Sequence, residues 1–252
     1  MSGLFSVEGR VALVTGGSAG IGRMIAAGLA EAGAAVFVCA RHPDKVALAA
    51  REMGPNVTGL VADVSTLDGI SALAVDLAAR TPRLDILVNN AGTLSDAPLD
   101  EFSEAQWDDV IDLNLKSPFF LLQRLLPLLR AGATAERPST VINLGSVGAL
   151  KIGPREVYSY QASKGAIHWL TRSLAKKLGS QHITVNAIAP GFFESDMTVI
   201  KDDAMRQMVE GMVPRGRTGT PEDMAGAAIY LASRAGAYVT GSVIPVEGGL
   251  SI

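Results

Sequence analysis

The segment VALVTGGSAGIG, residues 11–22, decides the fold of this chain. Its first half is an apolar run typical of a buried strand, and its second half is rich in glycine. A helical stripe of Ile21, Ile25 and Leu29 follows. A strand, a glycine-rich turn and a helix N-terminus form an anion site, because backbone N–H groups and the positive end of the helix dipole converge there. The segment predicts a βα unit that binds a phosphate. Its spacing departs from the generic GxGxxG fingerprint, so a tight turn without a ligand remains the alternative.

Short apolar runs alternate with helical segments along the rest of the chain. Several runs are apolar almost without a break, as parallel strands covered on both faces are. The alternation predicts a doubly wound α/β Rossmann fold of about seven parallel strands, with helices on both faces. No linker or internal repeat divides the sequence, so we expect one domain over residues 1–252. The predicted strands are Val11–Thr15, Ala35–Cys39, Val57–Ala62, Asp85–Asn89, Val141–Leu144, Thr184–Ala187 and Ser242–Val246.

The composition is that of a globular protein without a strongly charged partner surface. Of 252 residues, 48% are hydrophobic and 19% are charged, and the formal net charge is −3. That balance gives no basic footprint for nucleic acid or for an anionic membrane. The most apolar helical candidate, Pro118–Leu129, is too short and too interrupted by polar residues to span a bilayer. We therefore expect neither a nucleic-acid nor a membrane partner.

The N-terminus and the single cysteine favour the cytoplasm. Residues 1–10 lack the basic and apolar regions of a signal peptide. Cys39 has no second cysteine to pair with and lies in an apolar run, so we expect a buried thiol in a reducing compartment. The three histidines show no metal-ligand spacing, and no metal site is expected.

The end of the second predicted strand bears on the choice of nicotinamide cofactor. An acidic residue about 20 residues past the glycines binds the ribose 2′-hydroxyl of NAD, whereas an arginine accommodates the 2′-phosphate of NADP. This chain has no acid at that point and carries Arg41 just beyond the strand. A guanidinium can donate two hydrogen bonds to a phosphate. The sequence favours NADP(H), with a solvated loop arginine as the alternative.

Tyr160 and Lys164 form a candidate acid–base pair. They stand four residues apart, so a helix places both side chains on one face. Tyrosine has an ordinary pKa of about 10, and a nearby ammonium lowers it by favouring the phenolate. The phenol can then give a proton to a carbonyl oxygen or take one from an alcohol. Ser146 ends an apolar strand, where its hydroxyl can hydrogen-bond the same substrate oxygen or cap the next turn.

With these motifs the chain resembles the short-chain dehydrogenase/reductase family, and is most similar to its bacterial NADPH-dependent 3-oxoacyl (β-ketoacyl) reductases, including the rhamnolipid-associated type. The likeness runs from about Arg10 to the C-terminus and includes a TGxxxGxG turn and an NNAG motif at residues 89–92. It implies an enzyme that interconverts a ketone and a secondary alcohol by hydride transfer, with a small-molecule carbonyl or alcohol as substrate. Asn114 matches the asparagine of the family's catalytic tetrad, where it would hold a water linking Lys164 to solvent. A helix residue bonded to backbone is the alternative.

The resemblance also implies a set of cofactor-binding residues. Asp63 and Val64 follow the third strand, where the family contacts adenine, although Asp63 can equally cap a helix. The NNAG motif would meet the ribose through backbone groups while its asparagines brace the sheet. Ser195 stands where many members have threonine. The implied set is Gly16, Ser18, Ala19, Gly20, Ile21, Gly22, Arg41, Asp63, Val64, Asn90, Ala91, Gly92, Tyr160, Lys164, Pro190, Gly191, Phe193 and Ser195.

Three segments are expected to select the substrate, namely Thr93–Phe102, Val147–Val157 and a flap at about 192–213. The Ser146–Tyr160 spacing is one residue longer than is usual in the family, so the second segment is expected to bulge over the site. The flap carries Met197, Met205, Met208 and Met212, which suit an adaptable apolar lid or simply pack the flap onto the body.

Three functions stay open at this stage. A 3-oxoacyl-type reductase is favoured, although Gln181 stands near the position of a docking arginine in carrier-protein reductases. A dehydrogenase of a sugar, polyol, steroid or other secondary alcohol is the alternative. A non-catalytic NADP-binding regulatory protein is the third, and it is disfavoured because the tetrad is complete.

The apolar pattern also favours a homotetramer. Pro118–Leu129 is apolar around most of its circumference, the helix after Tyr160 carries Ile167, Trp169 and Leu170, and the C-terminus is apolar to its last residue. One helix face covers the sheet, so the rest requires a partner or a neighbouring loop of the same chain. In the family, two two-fold interfaces involving these helices and the C-terminal edge give D₂ symmetry.

Overall fold

The computed structural model describes residues 3–195 and 202–252, and it places all seven predicted strands in one sheet. The strands are β1 (Val11–Thr15), β2 (Ala35–Ala40), β3 (Val57–Val61), β4 (Ile86–Asn89), β5 (Ser139–Leu144), β6 (Ile183–Pro190) and β7 (Val243–Val246). The helices are α1 (Gly20–Glu31), α2 (Pro43–Met53), α3 (Leu67–Arg80), α4 (Glu104–Ile111), α5 (Ser117–Gly132), α6 (Tyr158–Leu178), α7 (Asp203–Met212) and α8 (Pro221–Ala232). The largest departure from the predicted strand bounds is at β6, which runs on to Pro190.

The sheet is parallel throughout, in the order β3-β2-β1-β4-β5-β6-β7. The chain winds outward from β1 to β3, then crosses back and continues from β4 on the other side of β1. The loops that leave β1 and β4 therefore diverge, and a crevice opens at the carboxyl ends of these two strands. The predicted single-domain doubly wound Rossmann fold is confirmed.

Both faces of the sheet are covered by helices, which explains the unbroken apolar strands. Leu13 and Val14 are neighbours on β1 and point to opposite faces, yet both are fully buried. Val14 belongs to the core beneath α1 and α8, together with Leu29 and Ala228. Leu13 belongs to the core beneath α3, α5 and α6. Because both faces of such a strand are buried, its sequence does not alternate between apolar and polar residues.

The edge of the sheet opposite the crevice carries a buried cation. Arg10 is 2% exposed and donates to the backbone carbonyl oxygens of Ala232 and Pro138. Burial lowers the pKa of Arg10 to about 10, against the raising effect of the nearby Asp85 carboxylate. Asp85 in turn accepts from the backbone N–H of Val11 at 2.8 Å. These bonds tie β1, β5 and α8 together at the end of the sheet away from the site.

None of the helices within the described ranges combines the length and apolar character needed to cross a bilayer.

Candidate active site

Helix α1 begins at the glycine turn with its first N–H groups uncapped. Ala19 is its N-cap residue and offers no side-chain oxygen, and the first turn contains no acidic residue. Gly16 and Gly20 hold φ values of +64° and +52°, which side-chain-bearing residues rarely adopt. The four N-terminal N–H groups of a helix need acceptors, and the dipole favours a negative one. The turn therefore fits the pyrophosphate of a dinucleotide, held by residues 16–22.

Thr15 and Asn90 lock this turn onto β4. The backbone N–H groups of Asn90 and Ala91 both donate to Thr15 Oγ1 at 3.0 Å, and Asn90 Nδ2 donates to the carbonyl oxygen of Thr15 at 2.8 Å. Gly22 makes this possible, because a Cβ there would lie 2.3 Å from Asn90 Nδ2. Thr15 was not among the predicted site residues. Its position at the end of β1, directly before the glycines, is the sequence feature that could have identified it as a site residue.

A second chain of polar side chains crosses the buried sheet to α6. Asn89 Nδ2 donates to Asn143 Oδ1 at 2.8 Å, and Asn143 Nδ2 donates to Thr171 Oγ1 at 2.9 Å. Each amide NH₂ group finds an acceptor on the next element, whereas Asn89 Oδ1 is buried without a hydrogen-bond partner among the described residues. The asparagines of the NNAG motif thus brace the sheet: Asn89 links β4 to β5 and α6, and Asn90 links β4 to β1.

Arg41, just after β2, and Asp63, just after β3, lie close enough for their charges to interact. Burial would raise the pKa of Asp63, but two hydrogen bonds from Ser65 and the charge of Arg41 outweigh it and hold that pKa below its usual value. Helix α3 is capped by Thr66, whose hydroxyl accepts from the N–H of Gly69 at 3.1 Å. The alternative that Asp63 caps this helix is therefore wrong. Val64 beside it is 5% exposed and packs into the core.

The segment after β6 passes over the glycine turn. A Cβ built on Gly20 would lie 3.2 Å from Ser195 Cβ, and the N–H of Gly191 donates to the carbonyl oxygen of Val246 at 3.0 Å. The Phe193 ring is 2% exposed and packs against Gly219, where a Cβ would lie 2.2 Å from it. The Phe193 ring is therefore packed into the core of the protein. Pro190 ends β6 and sets the direction of this segment.

Tyr160 and Lys164 lie in the first two turns of α6. The Lys164 ammonium donates to the carbonyl oxygen of Leu144, at the end of β5, over 2.7 Å, and stands 5.6 Å from the centroid of the Tyr160 ring. Lys164 is 5% exposed, and burial lowers its pKa to about 8. The α6 helix thus brings both side chains, together with Ser146, to the carboxyl edge of the sheet.

Burial raises the pKa of Tyr160, whereas a hydrogen bond with Ser146 and the charge of Arg155 act to lower it. The expectation that the Lys164 ammonium lowers this pKa is wrong for the geometry described, because the ammonium is directed to the Leu144 carbonyl oxygen and desolvation of the phenolate dominates. Ser146 caps the next turn, because its hydroxyl accepts from the N–H of Gly148 at 3.0 Å, and it also bonds Tyr160.

Asn114 lies in a π-helical turn (Asp112–Lys116) between α4 and α5. Its Nδ2 donates to the carbonyl oxygen of Thr93 at 2.9 Å and to Ser163 Oγ at 3.1 Å, while its Oδ1 accepts from the N–H of Thr93 at 2.9 Å. Both amide hydrogens are therefore engaged, as in the backbone-bonding alternative. A π-helical turn disturbs the helix ladder and can free a backbone carbonyl.

The expected substrate segments surround this group. Residues 147–157 leave Ser146 through a short 3₁₀ turn and reach the C-terminal tail, where Lys151 Nζ donates to the carbonyl oxygen of Leu250 at 2.9 Å. In the flap, α7 packs through Val209 and Val213, while Met208 and Met212 are 58% and 47% exposed. These two methionines do not pack the flap onto the body. Met197 lies outside the described residues.

Comparisons with known proteins agree with this arrangement along almost the whole chain. The family described as enoyl-(acyl carrier protein) reductase matches residues 16–251. A 3-oxoacyl-acyl-carrier-protein reductase of rhamnolipid biosynthesis from Pseudomonas aeruginosa is 48% identical and covers 98% of each chain. A 2-dehydro-3-deoxy-D-gluconate 5-dehydrogenase from Pseudoalteromonas atlantica is 39% identical and covers 97% of each chain.

The fold and the order of the motifs are shared with a solved enzyme complex. The active-site complex of Pseudomonas aeruginosa RhlG with NADP superimposes with a TM-score of 0.96, at 48% identity and over 100% of both chains. Its relationship to this chain therefore extends beyond the glycine turn to the entire domain. On these matches, and with Ser146, Tyr160 and Lys164 gathered beside an uncapped helix N-terminus, the chain belongs to the short-chain dehydrogenase/reductase family of oxidoreductases.

Proposed function

We propose that this protein is an NADP(H)-dependent carbonyl reductase that interconverts a ketone and a secondary alcohol. The observation that carries the proposal is the placement of Ser146, Tyr160 and Lys164 at the end of β5, on the same edge of the sheet as the uncapped N-terminus of α1. One edge of the sheet thus offers both an anion site for a dinucleotide and a proton donor for a carbonyl oxygen. Open α/β sheets bind ligands at this edge.

The residues of the chain handle the proton, and a bound nicotinamide supplies the hydride. In reduction, the Tyr160 hydroxyl gives its proton to the substrate oxygen, and Ser146 donates a hydrogen bond to the same oxygen as charge develops on it. Lys164, whose pKa burial lowers to about 8, is the neighbouring group that can return a proton to Tyr160. The π-helical turn at Asn114 lies next to Ser163, so a water held there would connect Lys164 to solvent. In oxidation, the same groups act in reverse.

The proposed preference for NADP(H) rests on Arg41. No acidic residue ends β2, and the Arg41 charge lies at the adenine side of the crevice, where it acts on Asp63. A carboxylate at this position would repel a 2′-phosphate, whereas a guanidinium can bind it. The RhlG relative, which is similar over its whole length, was solved with NADP.

A 3-oxoacyl group is the favoured substrate, because the rhamnolipid-biosynthesis relative is a 3-oxoacyl reductase at 48% identity. A second candidate is a sugar acid, favoured by the gluconate dehydrogenase at 39% identity. The deciding experiment follows NADPH absorbance with a panel of 3-oxoacyl thioesters, 3-oxo esters and oxo sugar acids. No NADPH oxidation with any ketone, and no NADP⁺ reduction with the corresponding alcohols, would leave only a non-catalytic NADP-binding protein.

The proposed assembly is a homotetramer. Trp169 on α6 is 71% exposed, Tyr238 is 102% exposed beside the last strand, and Ile252 is 96% exposed. Helix α5 leaves less apolar surface for an interface than expected. Four of its leucines are buried within the chain, and the other two are partly buried against the same core: Leu121, Leu122, Leu125 and Leu129, then Leu126 and Leu128. Light scattering at micromolar concentration tests the assembly: a mass near 26.2 kDa would contradict it, and a dimer would leave one interface.

We also place the protein in the cytoplasm. The free thiol of Cys39 is buried, and burial raises its pKa to about 12, so it is neither a disulfide partner nor a reactive thiolate. A chain without structural disulfides suits a reducing compartment. Cell fractionation followed by immunoblotting would test the location.

A further inference from the structure

Two of the segments that surround Tyr160 are joined to each other. Arg155 Nε donates to Asp96 Oδ2 at 2.8 Å, and the backbone N–H of Ala97 donates to the carbonyl oxygen of Glu156 at 3.3 Å. These two contacts, between residues 96–97 and residues 155–156, are called the loop clasp below. The clasp holds the backbone of Arg155 five residues before Tyr160, between the two segments that border the reacting position.

Arg155 uses only one of its N–H groups in this clasp. Arg217 provides a comparison, because it forms a bidentate ion pair: its two terminal nitrogens donate to the two carboxylate oxygens of Asp223 at 2.6 and 3.0 Å. Arg155 donates through Nε alone, and within residues 3–195 and 202–252 neither terminal NH₂ group has a further acceptor. Its side chain remains 54% exposed. The terminal N–H groups are therefore available to a ligand.

The charge of Arg155 also reaches the reacting position. Burial raises the pKa of the Tyr160 phenol, and the Arg155 charge opposes that rise through space. Two acids of the joined segments are themselves hydrogen-bonded: Asp96 accepts from Arg155, and Glu156 accepts from the Tyr158 hydroxyl at 2.6 Å. A substrate whose carbonyl oxygen meets Tyr160 thus lies in the field of a partly unsatisfied guanidinium.

We propose that Arg155 is a specificity-determining residue that binds an oxyanion carried by the substrate. The inference rests on the carbonyl reductase activity proposed above and names the class of substrate that the site prefers. Arginine binds carboxylates and phosphates alike through paired N–H groups. Two sources of the oxyanion fit this chemistry: the carboxylate of an oxo acid, and the phosphate of a pantetheine carrier that holds an acyl thioester. A neutral ketone carries no anionic group for Arg155 to bind.

Two substrate pairs separate these sources in steady-state kinetics with NADPH. The first pair is 5-oxohexanoate and its methyl ester, which differ in the carboxylate charge. The second is 3-oxobutanoyl-4′-phosphopantetheine and 3-oxobutanoyl-pantetheine, which differ in one phosphate. In the Arg155→Gln variant, we expect KM to rise about 10-fold or more for the anionic member of at least one pair, because charge-assisted hydrogen bonds are lost. The neutral member should change by less than about 2-fold, and kcat should stay similar, as for a contact made equally in ground and transition states.

Asp96→Asn is the matched control, since it breaks the same ion pair and keeps the cation. If Arg155 binds the substrate, this variant leaves KM for the anionic member unchanged or lower, because the guanidinium loses its competing acid. Equal rises in KM for the charged and neutral members, or the same loss in both variants, would show that the clasp only shapes the loops and would overturn the inference. The proposed function would survive that result, because the wild type would still turn over the ketones. A wild type inactive on all four, and on every ketone of the panel described above, would overturn the proposed function, and the inference with it.

Discussion

The ammonium of Lys164 hydrogen-bonds the carbonyl oxygen of Leu144 across 2.7 Å, so a buried cation on α6 is held against the end of β5 by a neutral partner. No carboxylate neutralises it among the groups that act on its pKa, which burial alone lowers to about 8. The position is favourable for proton transfer near neutral pH and unfavourable for the stability of the fold. Both consequences can be measured.

Replacing Lys164 with Met should remove activity and stabilise the folded protein at pH 7. The folded pKa of about 8 lies below the ordinary lysine pKa of 10.5, so the unfolded chain holds its proton more tightly. At pH 7 both states are charged and the folded state bears the full burial penalty, which fades as pH rises from about 8 to 10.5. The variant should gain about 1–3 kcal/mol in unfolding free energy at pH 7. That gain should shrink towards pH 10.5.

Urea unfolding of wild type and Lys164→Met at pH 7 and pH 10 checks this expectation. A variant that is less stable than the wild type at pH 7 would show that the bond to Leu144 outweighs the desolvation of the ammonium.

Tyr160→Phe should reduce kcat by about 10²–10⁴-fold, the usual contribution of a general acid–base group. The phenol hydroxyl carries the proton, whereas the ring keeps its packing on α6, so nucleotide affinity should change little. NADPH oxidation and fluorescence titration of NADPH measure the two effects. Tyr158→Phe is the matched control, because that hydroxyl bonds only Glu156 and is two residues away on the same helix. A Tyr160→Phe variant with more than about a tenth of the wild-type rate would refute the assignment.

Arg41→Asp should weaken NADP(H) on the order of 100-fold and NAD(H) far less, because it exchanges charge-assisted hydrogen bonds to the 2′-phosphate for repulsion. The ratio of kcat/KM for NADPH to that for NADH gives the result. Arg51→Asp provides a control with the same change in charge, since Arg51 is exposed in the last turn of α2. Equal weakening of NADP(H) and NAD(H) binding, or a preference of the wild type for NADH, would show that Arg41 does not bind the 2′-phosphate.

Gly145→Ala should destabilise the protein, and His168→Ala should rescue it. A Cβ on Gly145 would lie 2.1 Å from His168 Nε2 and 2.6 Å from its Cδ2. Such overpacking costs about 1–3 kcal/mol. His168→Ala breaks no hydrogen bond at Nε2, since that atom is buried without a hydrogen-bond partner among the described residues.

A double-mutant cycle in urea unfolding measures this coupling. Strictly additive effects of Gly145→Ala and His168→Ala would mean that the ring moves aside freely, or that the alanine is accommodated by the backbone near Ile188 instead.

Much of the fold follows from local patterns. The seven strands are short apolar runs, and the α1 stripe and glycine turn carry their own signals in neighbouring residues. The bounds of β6 could not be predicted as well, because its last residues pair with β7, some fifty residues later in the chain. The N-cap residue of α3 could not be predicted for a related reason. Asp63 and Thr66 are both good capping residues, and only the course of the backbone decides that Thr66 accepts from the N–H of Gly69.

The sequence by itself determined the parallel doubly wound sheet, the phosphate-binding turn and the shared helical face of Tyr160 and Lys164, since each depends on residues a few positions apart. Tertiary structure alone decided how those residues behave. The pKa of Tyr160 is raised rather than lowered because burial and the direction of the Lys164 ammonium depend on packing. The Thr15–Asn90 lock and the Arg155–Asp96 ion pair likewise join residues that are distant in the chain. Desolvation and hydrogen-bond geometry arise only once distant segments meet, so no local pattern encodes them.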